Sequence, residues 1–450
     1  MSVLQHDLWS TTEMPRLNRA VLSGGVGPDE FAAEFSRRVL ADLPDPEGLS
    51  PGQARRLLVV LGMSGSSVAR HYQERDLALK SRPQECFAPL VVGPGKTPFL
   101  PYFAKLAAAT GTGHTQRDSY ASLVRWNLPT AQVEADGQIV ASLPGAFADT
   151  AVRTYTGDPG EIGFFELLKE SEALEAAVND TLEPIADGSV DVLSKDAGDR
   201  AELATRLLIA LHRINLDFAT RAPEDGGLGV DHFMDVFRQF AVHWEPGDIP
   251  PSGAQDPEFL RRDLMLGIDF PGYETHVRKI LPALLSAERD VLTRQMRRRT
   301  LPAVLLTALG LDPARLHQLS AEQLRPVLRE HPQLATWYLL LAANARIGAV
   351  HLMLTEKFLF KPQRARDESG AGDRPLVSNR QGTTGMKEPL LVQLARARRG
   401  HLLRFLAPIP DSELARVAYG EATSPRARSR RLPTVRFVAA DTCAAVGLEA

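Results

Sequence analysis

The sequence LATWYLLLAANARIGAVHLMLTEKFLF, residues 334–360, decides how this chain folds. Its apolar residues recur at steps of three and four, which is the period of one helix face, and no proline interrupts them. His351 lies on the same face as Trp337 and Phe358. The spacing therefore predicts a long helix that buries an imidazole.

A buried histidine has two interpretations. A neutral imidazole needs a partner for each ring nitrogen, and a metal or a haem iron can satisfy the inner one. Alternatively, His351 is an ordinary core histidine that is hydrogen-bonded to a carbonyl group. The helix taken alone favours the core interpretation, so the metal-ligand hypothesis depends on the rest of the chain.

The composition is that of an ordinary globular protein. Of the 450 residues, 44% are hydrophobic and 24% are charged, and the net charge is −3. We therefore expect no binding to nucleic acid. Cys86 and Cys443 lie too far apart in sequence for a disulfide framework, which is typical of a reducing compartment. We found no signal-peptide pattern and no apolar run of membrane-spanning length, so we expect a cytoplasmic protein outside the membrane.

The length of the chain is sufficient for two or three domains. We predict a smaller helical domain at 1–145 and a large helical domain at 146–450, with a turn and an extended linker at 137–145 as the boundary. The polar stretch at about 361–381 contains proline and glycine, which indicates a mobile surface loop. The basic tail at about 422–450 is predicted to be disordered.

Two helical segments carry aromatic residues that are candidates for a binding site. Phe164 and Phe165 begin one helix, and Phe233 precedes Arg238 on another. Adjacent aromatic residues commonly belong to a core, but they can also wall a flat ligand. Arginine in such a position is commonly solvated, but it can also clamp a carboxylate with two hydrogen bonds. Both interpretations are open for each segment.

Small residues mark two further positions. Ser252 and Gly253 precede a helix that contains Asp263, and their size lets the backbone approach a ligand closely. Gly382 and Thr383 follow the predicted loop. That loop and its threonine form either a cover over a site or a plain connection.

Together these segments resemble the indoleamine 2,3-dioxygenase family of haem enzymes and, more distantly, the pyrrolnitrin-pathway haem enzymes. The resemblance runs from about Tyr120 to Leu403. Its most specific part is three motifs in order: IPPSGAQDPEFLRRDLMLGID, GAVHLMLTEKFL and RQGTTGMKEPLLVQLARARR. The resemblance implies an all-α fold in which a small N-terminal domain caps a large haem-enclosing domain. It also implies haem b as cofactor, dioxygen as co-substrate, an unidentified electron donor, and a monomer rather than an oligomer.

The resemblance also implies roles for individual residues. His351 would be the proximal iron ligand, with Asp263 fixing its orientation through a hydrogen-bond network. Arg238 would hold a substrate carboxylate. The distal pocket, the haem edge and the cover would be formed by Tyr120, Val124, Phe164, Phe233, Ser252, Gly253, Gly382 and Thr383. The implied reaction inserts dioxygen across the indole C2–C3 bond of tryptophan or a related indole, which gives N-formylkynurenine-type products without an acid or base residue.

The chain departs from the family pattern at a few positions. These are Leu168 for a small hydroxyl residue, Met234 for phenylalanine, Gly348 for an arginine one turn before the histidine, and Thr384 for glycine. The missing arginine should remove an ion pair near a haem propionate, and Arg346 or Arg262 could replace it. Two alternatives follow: a haem oxygenase or rearranging enzyme that acts on a modified tryptophan or aromatic amino acid, and a non-catalytic haem-binding protein.

Overall fold

The computed structural model describes residues 3–112, 117–371, 375–420 and 431–439, and this part of the chain is mostly helical. Its α-helices are α1 (Val3–Leu8), α2 (Met14–Leu22), α3 (Pro28–Phe35), α4 (Pro51–Arg75), α5 (Phe99–Ala108), α6 (Pro159–Ala186), α7 (Lys195–Thr220), α8 (Pro257–Leu266), α9 (Tyr273–Ile280), α10 (Ser286–Gln295), α11 (Leu301–Ala308), α12 (Pro313–Leu316), α13 (Ala321–Glu330), α14 (Gln333–Thr355), α15 (Lys361–Glu368), α16 (Glu388–Arg399) and α17 (Asp411–Tyr419). The described π-helical turns are Trp9–Glu13, Ser36–Leu40, Ala121–Arg125, His232–Phe237 and Glu356–Phe360. The described 3-10 turns are Pro46–Gly48, Leu77–Ser81, Pro83–Phe87, Pro223–Asp225, Arg238–Phe240, Gly253–Gln255, Leu281–Ala283 and Arg404–Leu406.

Five short strands form two small antiparallel sheets within the described residues. In the first sheet, β1 (Val91–Val92) pairs with β2 (Thr97–Pro98). In the second, β3 (Thr130–Ala135) lies between β4 (Gln138–Leu143) and β5 (Thr434–Val438). The predicted all-α class is confirmed at the coarse level, since helices make up most of the described chain and its strands form only these two small sheets.

The segment predicted as an extended linker at 137–145 contains the second strand of a β-hairpin. Asp136 and Gly137 have φ angles of 52° and 77°, as a type I′ two-residue turn requires. Ala135 pairs with Gln138 immediately beside this turn. The predicted turn is present and the segment after it is extended, but the turn folds this segment back onto β3 as β4, so that its backbone groups are paired.

The structure differs from two other sequence predictions, those for the loop at about 361–381 and for the basic tail. The predicted loop at about 361–381 begins as a helix, because α15 follows the turn Glu356–Phe360 directly and its Pro362 stands in the first helical turn. Residues 372–374 lie outside the described part. Of the predicted basic tail, only 431–439 is described, and it contains β5, which is paired with β3 along its length.

Helix α14 is central to one of the two largest hydrophobic cores in the described residues. It packs against α7, α16 and α17, while α6 packs against α7 and α8. The predicted helix at 334–360 is confirmed as α14 and the π-helical turn after it. The other core surrounds α4 and gathers the aromatic residues of the N-terminal helices with Trp244. The two cores meet beside the N-terminal part of α6.

The continuous helical run Gln333–Glu368 is long and apolar enough to cross a membrane, and it is the one such helix in the part of the chain that the structure describes. This run is longer than the sequence indicated, because α14, the π-helical turn and α15 join without a break. Half of its most apolar window is buried inside the protein, as in the core helices of soluble proteins.

Replacing Gly65 by alanine should destabilise the core around α4. A Cβ atom at this position would lie 2.7 Å from two ring carbons of Trp244, which is fully buried and has no room to move. Overpacking of this kind costs on the order of 1–3 kcal/mol. Chemical denaturation should show this loss for Gly65→Ala, whereas Gly52→Ala in the same helix, where a Cβ meets nothing within 4 Å, should lose no stability. Equal stability of the two variants would contradict the close packing of α4 on Trp244.

Candidate functional site

A cavity of about 260 Å³ lies between α6, α14, the turns at 232–240 and the segment 382–386. Ten of the residues in its wall are aromatic: Tyr120, Tyr155, Phe164, Phe165, Phe218, Phe233, Phe237, Phe240, Phe358 and Phe360. The structure brings nearly all of the sequence-predicted site residues to this wall: Tyr120, Val124, Phe164, Phe233, Arg238, Ser252, Gly253, His351, Gly382 and Thr383. Asp263 is the exception, since it lies outside the lining.

His351 faces this cavity from α14. Its ring is enclosed by protein apart from the side that borders the cavity, and Phe259 packs edge-to-face on it with ring centroids 6.1 Å apart. Within the described residues, neither ring nitrogen makes a hydrogen bond. Burial, followed by the charges of Arg398 and Arg262, lowers the pKa of His351 to about 4. The imidazole is therefore neutral at physiological pH, as ligation of a metal requires.

Asp263 does not contact His351 through a hydrogen bond in the described structure. Its carboxylate accepts two hydrogen bonds from Arg398, at 3.1 Å from Nε and 2.7 Å from Nη2, and a third from the Tyr273 hydroxyl at 3.0 Å. All three side chains are buried. The predicted orienting bond is thus replaced by a buried ion pair, which reaches His351 only through Phe259.

The two candidates for the missing arginine have different positions. Arg346 is wrong for that role, because it is more than half exposed and pairs with Asp411 on the surface. Arg262 is fully buried, its guanidinium lies 5.3 Å from the centre of the Phe259 ring, and it donates to Glu175. Only Arg262 is therefore placed near the histidine.

Helix α6 supplies one apolar wall of the cavity. The Asp158 carboxylate accepts a hydrogen bond from Gly160 N at 2.7 Å, which caps the first turn of the helix. Phe164 and Leu168 then lie one turn apart, on the face that lines the cavity. A Cβ atom at Gly253 would lie 3.2 Å from Cδ2 of Leu168, so glycine is needed for this close approach. Leu168 makes this wall apolar.

The turns at 232–240 supply the second aromatic wall and one cation. Phe233 and Phe237 pack on Phe164 with ring centroids 5.9 and 5.3 Å apart. Arg238 follows at once, and burial lowers its pKa to about 10, so that it stays charged. Its Nη2 donates to the carbonyl oxygens of Ser378, at 2.9 Å, and Gln381. Nε and Nη1 have no partner in the described residues, so this guanidinium retains donors for a ligand.

The segment 375–386 closes over the cavity and is anchored at several points. The side-chain amide of Gln239 pairs with the backbone of Val377, accepting from its nitrogen at 2.8 Å and donating to its oxygen at 3.3 Å. Lys279 donates to the Thr384 carbonyl at 3.2 Å. Gly382 N donates to the Met386 carbonyl at 2.8 Å, which closes the turn that presents Thr383. This segment is therefore held beside the cavity, and Gly382, Thr383, Thr384 and Met386 contribute to its wall.

Tyr120 and Val124 come from the turn that precedes the β-hairpin. Ser122 Oγ accepts from Ser119 N at 2.9 Å, and Ser119 Oγ accepts from Ser122 N at 3.2 Å, so the two serines fix the start of this turn. The Tyr120 hydroxyl is buried without a hydrogen-bond partner in the described structure. Burial and the charge of the nearby Asp256 raise its pKa well above the usual range. Tyr120 therefore acts as a neutral, mostly apolar wall.

Some residues of the site were not predicted. Phe237 and Tyr155 line the cavity, and Phe237 lies one turn from Phe233, a spacing that could have identified it. Tyr155 stacks on Phe240 at 4.2 Å, a contact between distant parts of the chain that no local pattern reveals. Arg398 was hidden in a run of basic residues, which usually indicates a solvated face.

Among the residues that the structure describes, no three His, Cys, Asp or Glu side chains come together as a metal site. A haem iron held by one histidine does not need such a group. The unpartnered nitrogens of His351 and the aromatic wall beside them fit a haem.

His232 should make stability depend on pH. Burial opposes its protonation, but its 2.9 Å hydrogen bond to Glu161 and the charge of that carboxylate outweigh burial and raise the pKa of His232 above 6.5. The pair therefore stabilises fully below about pH 6.5, and its contribution is lost as pH rises through the raised pKa. We expect His232→Gln to lose on the order of 1 kcal/mol near pH 5.5 and less at alkaline pH. Urea denaturation across this range measures the difference, and a loss independent of pH would contradict the charged pair.

Comparisons with known proteins give no functional assignment for this chain. No protein-family model matches the chain, and no curated protein matches it in sequence. The functional assignment therefore depends on the side chains around the cavity: one unpartnered histidine, one buried guanidinium and an aromatic wall.

Proposed function

We propose that this protein is a haem-dependent dioxygenase that opens the indole ring of tryptophan or a related indole. The observation that carries the proposal is His351, a neutral imidazole with two unpartnered nitrogens that faces an aromatic cavity. His351 lines the cavity, so a ligand bound there can supply the partner that the described protein groups do not supply.

Haem would be held by His351 and by burial among the apolar side chains of the cavity. Ser252 and Gly253 would border it where the backbone approaches closely, together with Gly382. When bound, haem would supply an iron with one coordination position open to dioxygen. The protein would contribute a fixed ligand orientation and a site from which water is excluded.

The substrate would be held by shape at one end and by charge at the other. Phe164, Phe233 and Phe237 offer faces and edges against which an indole ring can pack. Arg238 would bind the carboxylate through its free donors, in a buried setting where such hydrogen bonds are strong. These contacts would orient the ring and exclude water.

No acid or base residue is assigned to the reaction. Asp118 is a carboxylate in the cavity lining, but its oxygens already accept hydrogen bonds from Arg117, at 2.7 and 3.0 Å, and from Ser66 at 3.1 Å. The Tyr120 hydroxyl is held protonated by its raised pKa. Both groups therefore serve as walls of the site, and proton transfer by a side chain is not needed for dioxygen insertion.

A second candidate is a haem oxygenase or rearranging enzyme that acts on a modified tryptophan or another aromatic amino acid. Leu168 favours it, because this bulky side chain lines the cavity and packs on Gly253 where the family pattern has a small hydroxyl group. A pocket of different shape suits a different ring. The same haem and the same guanidinium would serve both reactions.

Replacing His351 by alanine should abolish haem binding. The holoprotein should show a Soret band of a histidine-ligated haem, and the reduced enzyme should form an N-formylkynurenine-type product from L-tryptophan in air. His401→Ala is the matched control, since burial also lowers the pKa of His401 to about 4 but the residue lies outside the cavity lining. The control should keep its Soret band. A wild-type protein without haem would contradict the proposal, and haem without product would favour the second candidate.

Replacing Arg238 by alanine should weaken binding of the substrate but not of haem. Loss of a charge-assisted hydrogen bond costs about 1.5–3 kcal/mol, or roughly 10- to 100-fold in affinity. Spectral titration should show this loss for L-tryptophan, while tryptamine, which has no carboxylate, should bind both proteins alike. Arg366→Ala is the control, because this arginine pairs with Asp235 on the same segment but does not line the cavity. Equal losses for tryptophan and tryptamine would assign Arg238 to the covering segment alone.

A further inference from the structure

Gly348 leaves a space beside α14 that another side chain fills. A Cβ atom at this position would lie 3.1 Å from Cδ and 3.4 Å from Nη1 of Arg398, and 3.4 Å from Cα of Ala395. Gly348 stands one turn before His351 on α14, and Arg398 belongs to α16. A side chain at 348 would therefore require Arg398 to shift from its present position.

Arg398 connects this space to the histidine. Its guanidinium forms a bidentate pair with Asp263 and lies 4.7 Å from the centre of the Phe259 ring. Phe259 in turn packs edge-to-face on His351. Nη1 of Arg398 is buried and has no hydrogen-bond partner in the described structure. The arginine thus faces the ring that supports the imidazole and keeps one donor unused.

The buried charge of Arg398 is not explained by a contribution to the stability of the fold. A buried ion pair gains little over well-packed apolar residues, because removing both charges from water costs as much as their attraction returns. Arg262 adds a second buried guanidinium 5.3 Å from the same phenylalanine ring. Glu175 accepts from Arg262 and Asp263 accepts from Arg398, so each buried guanidinium is balanced by a carboxylate. Removing one member of a pair leaves an unbalanced charge behind His351, and nearby charge of this kind changes the properties of a ligated metal.

We propose that Arg398 is the positioning residue for His351, and that this buried cation from α16 occupies the space that Gly348 leaves beside α14. It acts through Phe259, which fixes the ring, and through its charge, which offsets that of Asp263. This inference rests on the proposed function, because the charge would act on the iron that His351 holds.

The first test is the reduction potential of the haem in the holoprotein. Arg398→Met leaves the Asp263 charge unbalanced and should lower the potential, whereas Asp263→Asn should raise it, and the double variant should lie near the wild type. Arg398→Lys keeps the charge and should also lie near the wild type, which keeps the test valid if the methionine variant does not fold. If Arg398 and Asp263 had only a structural role, replacing them would not shift the reduction potential in opposite directions.

Arg153→Met is the matched control for the loss of a buried arginine. Arg153 is fully buried, pairs with Asp149 at 2.7 Å and packs 3.4 Å from the centre of the Phe147 ring, outside the cavity lining. Its replacement should lower thermal stability and leave the potential unchanged. A shift in Arg398→Lys as large as that in Arg398→Met, or equal potentials in all variants, would overturn the inference.

The second test uses the close approach of Gly348 and Arg398. Gly348→Arg should weaken haem binding at least tenfold, because its side chain requires Arg398 to shift, and Arg398→Ala should also weaken it. The double variant Gly348→Arg/Arg398→Ala should bind haem more tightly than either single variant, while thermal unfolding of the apoprotein reports any loss of fold. A double variant weaker than both singles would overturn the inference and leave the proposed function standing. A wild-type protein that takes up no haem would overturn both.

Discussion

The enclosure of α14 is the constraint on which the rest of the structure depends. A polar group on the buried side of α14, which packs against α7, α16 and α17, cannot reach bulk water and needs an internal partner. Asn344 violates this rule, since neither polar atom of its side chain has a hydrogen bond in the described structure. The His351 side chain makes no hydrogen bond to the described residues either, and it lines the aromatic cavity, where a ligand can supply a partner.

Arg238 both holds the covering segment 375–386 and has the donors that would recognise a ligand. Arg238 holds the carbonyl oxygens of the covering segment with one nitrogen and leaves two nitrogens free. Gln239 and Lys279 hold the same segment independently of the guanidinium. A ligand that redirects Arg238 therefore loosens the cover without releasing it, so that access and binding are linked within one short segment.

The sequence predicted what depends on local pattern and missed what depends on distant contacts. The 3.6-residue period of 334–360 was sufficient to predict helix α14. The residues that line the cavity include those that were selected from sequence motifs. The hairpin was missed although Asp136-Gly137 is a strong turn signal, because the flanking strands are short and one of them was taken as a linker. The role of Arg398 could not be predicted, since its neighbours Asp263 and Gly348 are brought to it only by the packing of α8, α14 and α16.

The three-stranded sheet joins distant parts of the chain. Arg436 on β5 bonds to Gln132 on β3, 304 residues earlier in the sequence. During synthesis, β3 and β4 emerge long before β5, and until it arrives one edge of β3 presents unpaired backbone groups that can add a strand from another molecule. Most of the contacts within the helical cores can form in the meantime, because β5 adds only the partly buried Val435 and Phe437 to them. Solubility during translation should therefore depend on how quickly β5 is synthesised after β3 and β4. This kinetic requirement is not visible in the folded structure.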